Sequence, residues 1–170
     1  MKVLTVVALF VLCSASVAGM AKASSLPAPF VACRDIVDGA TPVPGKEGAR
    51  LVLGKMVVAS AYTPQQAVRV HNLERWTYWM KAGVAVHSGN FTVTVTVPKA
   101  WRSRAGISWG SGAIVSSLRF SGCPTASLVS GWNGYAGGFY LRAPSACVPL
   151  VFSDGHRSTT LRFGIGRRCI

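Results

Sequence analysis

Gly106-Ile107-Ser108-Trp109-Gly110 fits the G-x-S-x-G pattern of a nucleophile elbow, and Asp154 and His156 follow in the order that a serine hydrolase uses. An elbow works because a strand-to-helix turn exposes the serine hydroxyl at the top of a parallel sheet. Here no helix-forming run follows: Ser111-Gly112-Ala113 leads into another strand-like segment. At 170 residues the chain is also short for a doubly wound hydrolase. Asp154 and His156 sit together on one expected hairpin, which makes a relay from carboxylate to imidazole to hydroxyl awkward. Ser108 therefore reads as a strand serine between packing residues, and a small secreted hydrolase is the least favoured function.

Other catalytic and cofactor chemistry is thinly supplied. The 3 histidines, His71, His87 and His156, form no H-x-x-x-H pair and have few acids for company, so no metal site is expected. The run from Gly39 to Gly45-Lys46 has the outline of a phosphate loop, but its spacing is one residue too long. Glu47 also stands where Ser or Thr would bind magnesium. The 5 acids, Asp35, Asp38, Glu47, Glu74 and Asp154, are mostly N-terminal and offer no pair for glycoside hydrolysis. The sequence thus assigns no catalytic residue and no cofactor, and a non-catalytic protein is expected.

Cations are abundant: 18 Lys+Arg against 5 Asp+Glu give a formal charge of +13. A charge of that size speaks to partners and solubility, not to fold. Where strand alternation sends Leu118/Phe120, Phe139/Leu141 and Leu161/Phe163 inward, it sends Arg119, Arg142 and Arg162 outward. Arg102, Arg104, Arg157, Arg167 and Arg168 add to the same half of the chain. If the strands are neighbours, these arginines form a cationic stripe suited to carboxylate or phosphate groups. Trp132 and Tyr135, in the glycine-rich segment Gly131–Gly138, are candidate aromatic contacts for a sugar ring, against the competing reading that they fill a core or plug a loop. Trp76, Tyr78 and Trp79 form a second aromatic cluster.

The elements that must position these residues are strands. Phe91-Thr92-Val93-Thr94-Val95-Thr96-Val97 puts Phe and Val on one face and Thr on the other, and Pro98 ends it. Further strands are expected at Leu51–Ala59, Val68–Asn72, Thr77–Val86 with an interruption at Gly83, Ala105–Trp109, Ser117–Ser121, Gly138–Arg142, Val148–Ser153 and Thr159–Ile165. Asp154-Gly155 marks a hairpin turn between the last two. Short strands separated by Gly/Pro turns predict an all-β fold, an antiparallel β-sandwich of immunoglobulin-like outline, with a small β-barrel as the alternative. Residues 24–49, rich in Pro, Gly, Ala and Ser, read as an extended lead-in to a single domain over 50–170.

Met1-Lys2, the apolar run Val3–Leu12 and the A-x-A site Ala21-Lys22-Ala23 read as a signal peptide over residues 1–23. The run is short for a membrane span of about 20 residues, so a membrane is a partner only if the segment is kept as an anchor. Its removal takes Lys2, Lys22 and Cys13, lowering the formal charge from +13 to +11. Cys33, Cys123, Cys147 and Cys169 remain, without CxxC spacing, and predict two disulfides in an oxidising compartment. Of the possible pairings, Cys123–Cys147 with Cys33–Cys169 is favoured, because the first closes a hairpin-like segment and the second ties down both ends.

The run Val97-Pro98-Lys99-Ala100-Trp101-Arg102, then Ser108-Trp109-Gly110, Leu118-Arg119-Phe120-Ser121-Gly122-Cys123, Tyr135-Ala136-Gly137-Gly138-Phe139-Tyr140, Ala146-Cys147-Val148-Pro149-Leu150 and Arg162-Phe163-Gly164-Ile165-Gly166-Arg167-Arg168-Cys169 resembles small uncharacterised exported proteins of actinobacteria. The resemblance spans roughly residues 90–169 and implies a bacterial cell-envelope setting, with no activity, cofactor or site attached. Nucleic acid would suit the charge, but export shifts the expected partner to teichoic acids, peptidoglycan carboxylates or anionic lipid headgroups. The expected function is an exported binding module of the cell envelope that recognises an anionic surface polymer. The alternative is a structural or protein-interaction module whose partner is an envelope protein.

Overall fold

Val93, Val95 and Val97 are fully buried while the threonines between them are not, so the alternation in this segment becomes a sheet with one dry face. The structure, a computed structural model, describes residues 27–37, 48–59, 65–71, 73–124 and 131–169. The expected signal peptide, residues 1–23, and the phosphate-loop-like run from Gly39 to Lys46 lie outside the described residues.

The described strands are β1 (Phe30–Val31), β2 (Arg50–Val52), β3 (Met56–Val58), β4 (Val68–Arg69), β5 (Tyr78–Lys81), β6 (Val84–His87), β7 (Thr92–Thr96), β8 (Ala105–Trp109), β9 (Ser117–Ser121), β10 (Trp132–Tyr135), β11 (Gly137–Leu141), β12 (Ala146–Ser153) and β13 (Ser158–Ile165). Single 3-10 turns cover Cys33–Asp35 and Lys99–Trp101. The fold is all-β and sandwich-like, and among the described residues no sheet closes into a barrel. One layer is a five-stranded sheet in the order β1-β9-β7-β12-β13, antiparallel except where β1 runs parallel to β9.

Two four-stranded sheets, β10-β6-β3-β2 and β4-β5-β11-β8, are halves of one bent layer. The run β5–β6 pairs with the run β10–β11 in a single register: Lys81 faces Gly138, Val84 faces Tyr135, and at the bend the Ala82 N–H donates to the Gly137 carbonyl at 2.9 Å. Glycine is required here, because a Cβ on Gly138 would run into the Met80 carbonyl oxygen. Between the layers, Phe120, Phe152 and Phe163 meet Trp109, Tyr135 and Phe139 in a chain of ring contacts, with Phe139 and Phe163 centred 5.1 Å apart.

Two expectations are corrected, the single strand at Leu51–Ala59 and the disulfide pairing. Leu51–Ala59, read as one strand, is the hairpin β2–β3, reversed through Leu53 at φ 54° and Gly54 at φ 69°. Alternation could not reveal the turn, because Val57 on the outer face is as dry as Met56 and Val58, packed with Ala49, Ala85 and Trp132. The lead-in is partly built into the sandwich: β1 adds a strand beside β9, and the Val37 N–H donates to the Gly134 carbonyl at 2.9 Å.

The disulfides are Cys33–Cys123 and Cys147–Cys169, not Cys123–Cys147 and Cys33–Cys169. The parallel register of Phe30 with Arg119 and Val31 with Phe120 carries Cys33 to Cys123, at a Cα separation of 5.8 Å. Cys147 lies opposite Gly164 on β13, and the chain folds back past Gly166 (φ 63°) to bring Cys169 within 5.3 Å, Cα to Cα. Such bonds indicate an oxidising, extracellular type of environment. Among the described residues no helix is long and apolar enough to cross a membrane.

At one end of the sandwich an ion pair ties the layers together. Asp154, in the β12–β13 turn, accepts from Lys55 Nζ of the β2–β3 turn at 2.7 Å, and from the backbone N–H groups of Arg157 and His156 at 2.8 and 3.1 Å. These bonds, Lys55 foremost, hold its carboxyl well below the usual carboxylate range. A carboxyl with a depressed folded-state pKa stabilises the fold above its unfolded value of about 4 and gives up that contribution as pH falls towards the folded value. Wild-type Tm should therefore drop more steeply below about pH 4 than that of Asp154→Asn, closing the gap between them. Melting curves of both proteins across acid pH check this, and parallel curves would sink it.

Candidate anion-binding face

Arg119, Arg142 and Arg162 do not form a stripe. Arg119 projects from the outer face of the five-stranded sheet and is already engaged: Nε donates to the Ala28 carbonyl at 2.7 Å and the guanidinium lies 4.0 Å from the centre of the Phe30 ring. Its evident work is to hold the β1 segment on β9. Arg162 is on the same face, but on edge strand β13 opposite Pro149, whereas Arg119 lies opposite Thr94. Spacings of about 4.8 Å between strands and 3.4 Å per residue put the two roughly 20 Å apart. Arg142 follows β11 in the other layer. Alternation says that each points outward, but it carries no information on which sheet or which row each occupies.

The aromatic pair is also separated. Trp132 is half-buried on the outer face of the β10-β6-β3-β2 sheet, where it covers Ala49, Val57 and Ala85 and meets His87 edge-on at 5.0 Å. Tyr135 is 2% exposed and points into the core, its ring against Phe120 at 5.5 Å and its hydroxyl donating to Cys123 Sγ at 3.4 Å. Burial, with the charge of Asp35 second, pushes the phenol pKa up. Tyr135 thus backs the Cys33–Cys123 bridge and presents no ring to a ligand. The glycine-rich segment that contains both residues is strand, not an open loop.

The elbow-like serine is not part of a triad. Ser108 Oγ donates to the Gly112 carbonyl at 3.0 Å, and both oxygens of Asp154 are taken by Lys55, His156 N–H and Arg157 N–H. Nor do three His, Cys, Asp or Glu side chains gather as a metal site among the described residues.

Cations do converge at the far end of the β4-β5-β11-β8 sheet. The β11–β8 ladder, in which Tyr140 faces Gly106 and Leu141 faces Ala105, continues with the Arg142 N–H donating to the Arg104 carbonyl at 3.3 Å. Arg104 stacks over the Trp101 ring at 4.1 Å and its Nη2 donates to the Ala100 carbonyl at 3.2 Å. From the segment before β5, Arg75 Nη2 donates to the Arg102 carbonyl at 2.6 Å, and its guanidinium lies 4.9 Å from the Trp76 ring centre. Trp76 itself lies on Gly106, where a Cβ would come within 3.0 Å of the indole. Glycine at this point of β8 lets the indole lie close against the strand, with Arg75 above it.

Arg75, Arg102, Arg104 and Arg142 are all exposed. Among the described residues the side-chain ion pairs found, Lys55 at 2.7 Å and Arg157 at 3.7 Å, both use Asp154, so no carboxylate neutralises these four arginines. Glu74, adjacent to Arg75 in the chain, is exposed and makes no such pair with a described residue. Gathered like charges raise the local potential and favour a multivalent anion. The guanidinium forks are suited to carboxylate or phosphate oxygens.

Comparison with protein-family models, curated proteins and solved structures finds no match. Of the clustered arginines, Arg142 is an expected site residue and Arg102 and Arg104 belong to the expected cationic stripe, whereas Arg75 is not among the expected residues. Its signal was the Arg75-Trp76 step, legible only once β5 is known to start beside the end of β11.

Proposed function

We propose that the chain is an exported, non-catalytic binding module of the cell envelope that recognises an anionic surface polymer through Arg75, Arg102, Arg104 and Arg142. One observation carries this reading: two hydrogen bonds, Arg75 Nη2 to the Arg102 carbonyl and the Arg142 N–H to the Arg104 carbonyl, bring together four exposed arginines that no described carboxylate neutralises. The signal-like N-terminus and the two disulfides support export, and an extracellular setting favours wall polymers bearing carboxylate or phosphate over nucleic acid. The test is retention on purified bacterial cell wall and on immobilised polyphosphate across a salt gradient. Arg75→Ala/Arg104→Ala/Arg142→Ala should bind roughly tenfold more weakly at low salt, while Arg119→Ala/Arg162→Ala retains near wild-type affinity. Retention should fall steeply with salt in the wild type. Equal retention by both triple and double variants, or pull-down of one envelope protein independent of the arginines, overturns the reading.

A further inference from the structure

Next to the arginine cluster, the outer face of the same sheet carries a short run of aromatic and cationic positions. Met80, Ile107, Phe139 and Leu141 point into the core, so Trp79, Lys81 and Tyr140 lie on the opposite face. Trp79 and Tyr140 are directly opposed across β5 and β11, and both are half-buried. Exposed Val68 extends the row beyond Trp79, and on the other side Tyr140 faces Gly106 with its covering Trp76. Two residues along the strands in one direction is exposed Lys81, opposite Gly138; two residues in the other is Arg142, opposite Arg104. At 3.4 Å per residue, the Lys81 row and the Arg142 row are about 14 Å apart, with the two rings midway.

Cation, ring pair, cation is the pattern that an acidic polysaccharide presents in complement: a carboxylate, the apolar C–H face of a sugar ring, and a further carboxylate. From this placement we infer that the polymer is an acidic polysaccharide. Its sugar rings lie on Trp79 and Tyr140, and its carboxylates reach Arg142 and Arg104 at one end and Lys81 at the other. The inference rests on the polyanion reading above and adds the chemical class of the ligand. Single-stranded nucleic acid also combines stacking with anionic groups. The oxidising environment indicated by the disulfides favours the polysaccharide.

The experiment is a binding titration, followed by tryptophan fluorescence and calorimetry, with four probes: oligogalacturonate, a neutral oligosaccharide of matching length, polyphosphate and oligothymidylate. Trp79→Ala/Tyr140→Ala should weaken oligogalacturonate binding by about tenfold or more and leave polyphosphate within about twofold. Trp79→Phe/Tyr140→Phe should restore most of the lost affinity, and melting curves of both variants confirm that the sandwich is intact. Lys81→Ala should reduce the salt dependence for oligogalacturonate and leave binding of galacturonate monomer unchanged, since a monomer cannot span both cationic ends.

Loss of polyphosphate binding in parallel with oligogalacturonate, or no loss at all, overturns the polysaccharide assignment while leaving the arginine cluster as a polyanion site. Tighter oligothymidylate binding with the same dependence on Trp79 and Tyr140 reassigns the face to nucleic acid. Failure of both polyphosphate and oligogalacturonate to bind the wild type removes the polyanion reading itself.

Discussion

Replacing Cys33 and Cys123 together by serine is expected to cost about 4–5 kcal/mol of unfolding free energy, against about 3 kcal/mol for Cys147→Ser/Cys169→Ser. The bridges span sequence separations of 90 and 22 residues. In the chain-entropy account the longer loop restrains the unfolded chain more, so its opening costs more. The first bridge also holds a segment whose own contacts are few: two residues of β1, the Arg119–Phe30 stack, the Ser111 hydroxyl donating to Asp35 at 2.6 Å, and Val37 on β10. Without the tether, that segment should detach before the rest unfolds and leave the β1 edge of β9 open. Small domains have only about 5–15 kcal/mol in total, so the loss is a large fraction of it. Denaturant unfolding of the two double variants under oxidising conditions reads the difference directly. Equal losses, or a larger one for the Cys147–Cys169 pair, would reject the ordering.

Phe139→Ala is expected to cost about 3–5 kcal/mol, the usual range for emptying an aromatic site in a closed core. Phe139 is fully buried and joins the layers by touching both Trp109 at 5.9 Å and Phe163 at 5.1 Å. Removing it leaves a cavity between the sheets and two rings without an edge to pack on. Trp109 cannot readily follow into the gap, because its indole N–H is held on the Ala82 carbonyl at 2.7 Å. Phe139→Leu, which keeps much of the volume, should cost about 1–2 kcal/mol. Because Phe139 lies between Gly138 and Tyr140, the alanine variant should also loosen the face opposite it and weaken polyanion binding more than a surface substitution of similar stability cost. Calorimetric melts combined with cell-wall retention test both parts, and a loss below about 1 kcal/mol would show that the core can collapse onto the site.

Most strand segments were legible before any three-dimensional information. Ala105–Trp109 and Ser117–Ser121 occur as read, β11, β12 and β13 differ only at their ends, and the interruption at Gly83 separates β5 from β6. Asp154-Gly155 does turn, with Gly155 at φ 89°. The failures have a common cause. The β2–β3 turn was hidden because β3 is dry on both faces, and β10 was hidden because Gly131–Gly138 has a turn-like composition but its Asn133 and Tyr135 are buried. Where burial is two-sided or the residues are small, period-two alternation has nothing to report.

Alternation and turn chemistry act over a few residues, so the sequence by itself determined the all-β class, the inward residues that became the core, and the outward direction of Arg119, Arg142 and Arg162. Which outward residues share a face was decided by the tertiary structure. Pairing β5 with β11 and β11 with β8 brings Arg75, Trp79, Arg104 and Tyr140 around Arg142, while Arg119 and Arg162 stay on a different layer. Cysteine pairing followed the same logic, since only the parallel register of β1 on β9 brings Cys33 to Cys123. Such registers join segments far apart in the chain. They are selected by core packing and loop closure summed over the whole sandwich, quantities that no local stretch of sequence contains.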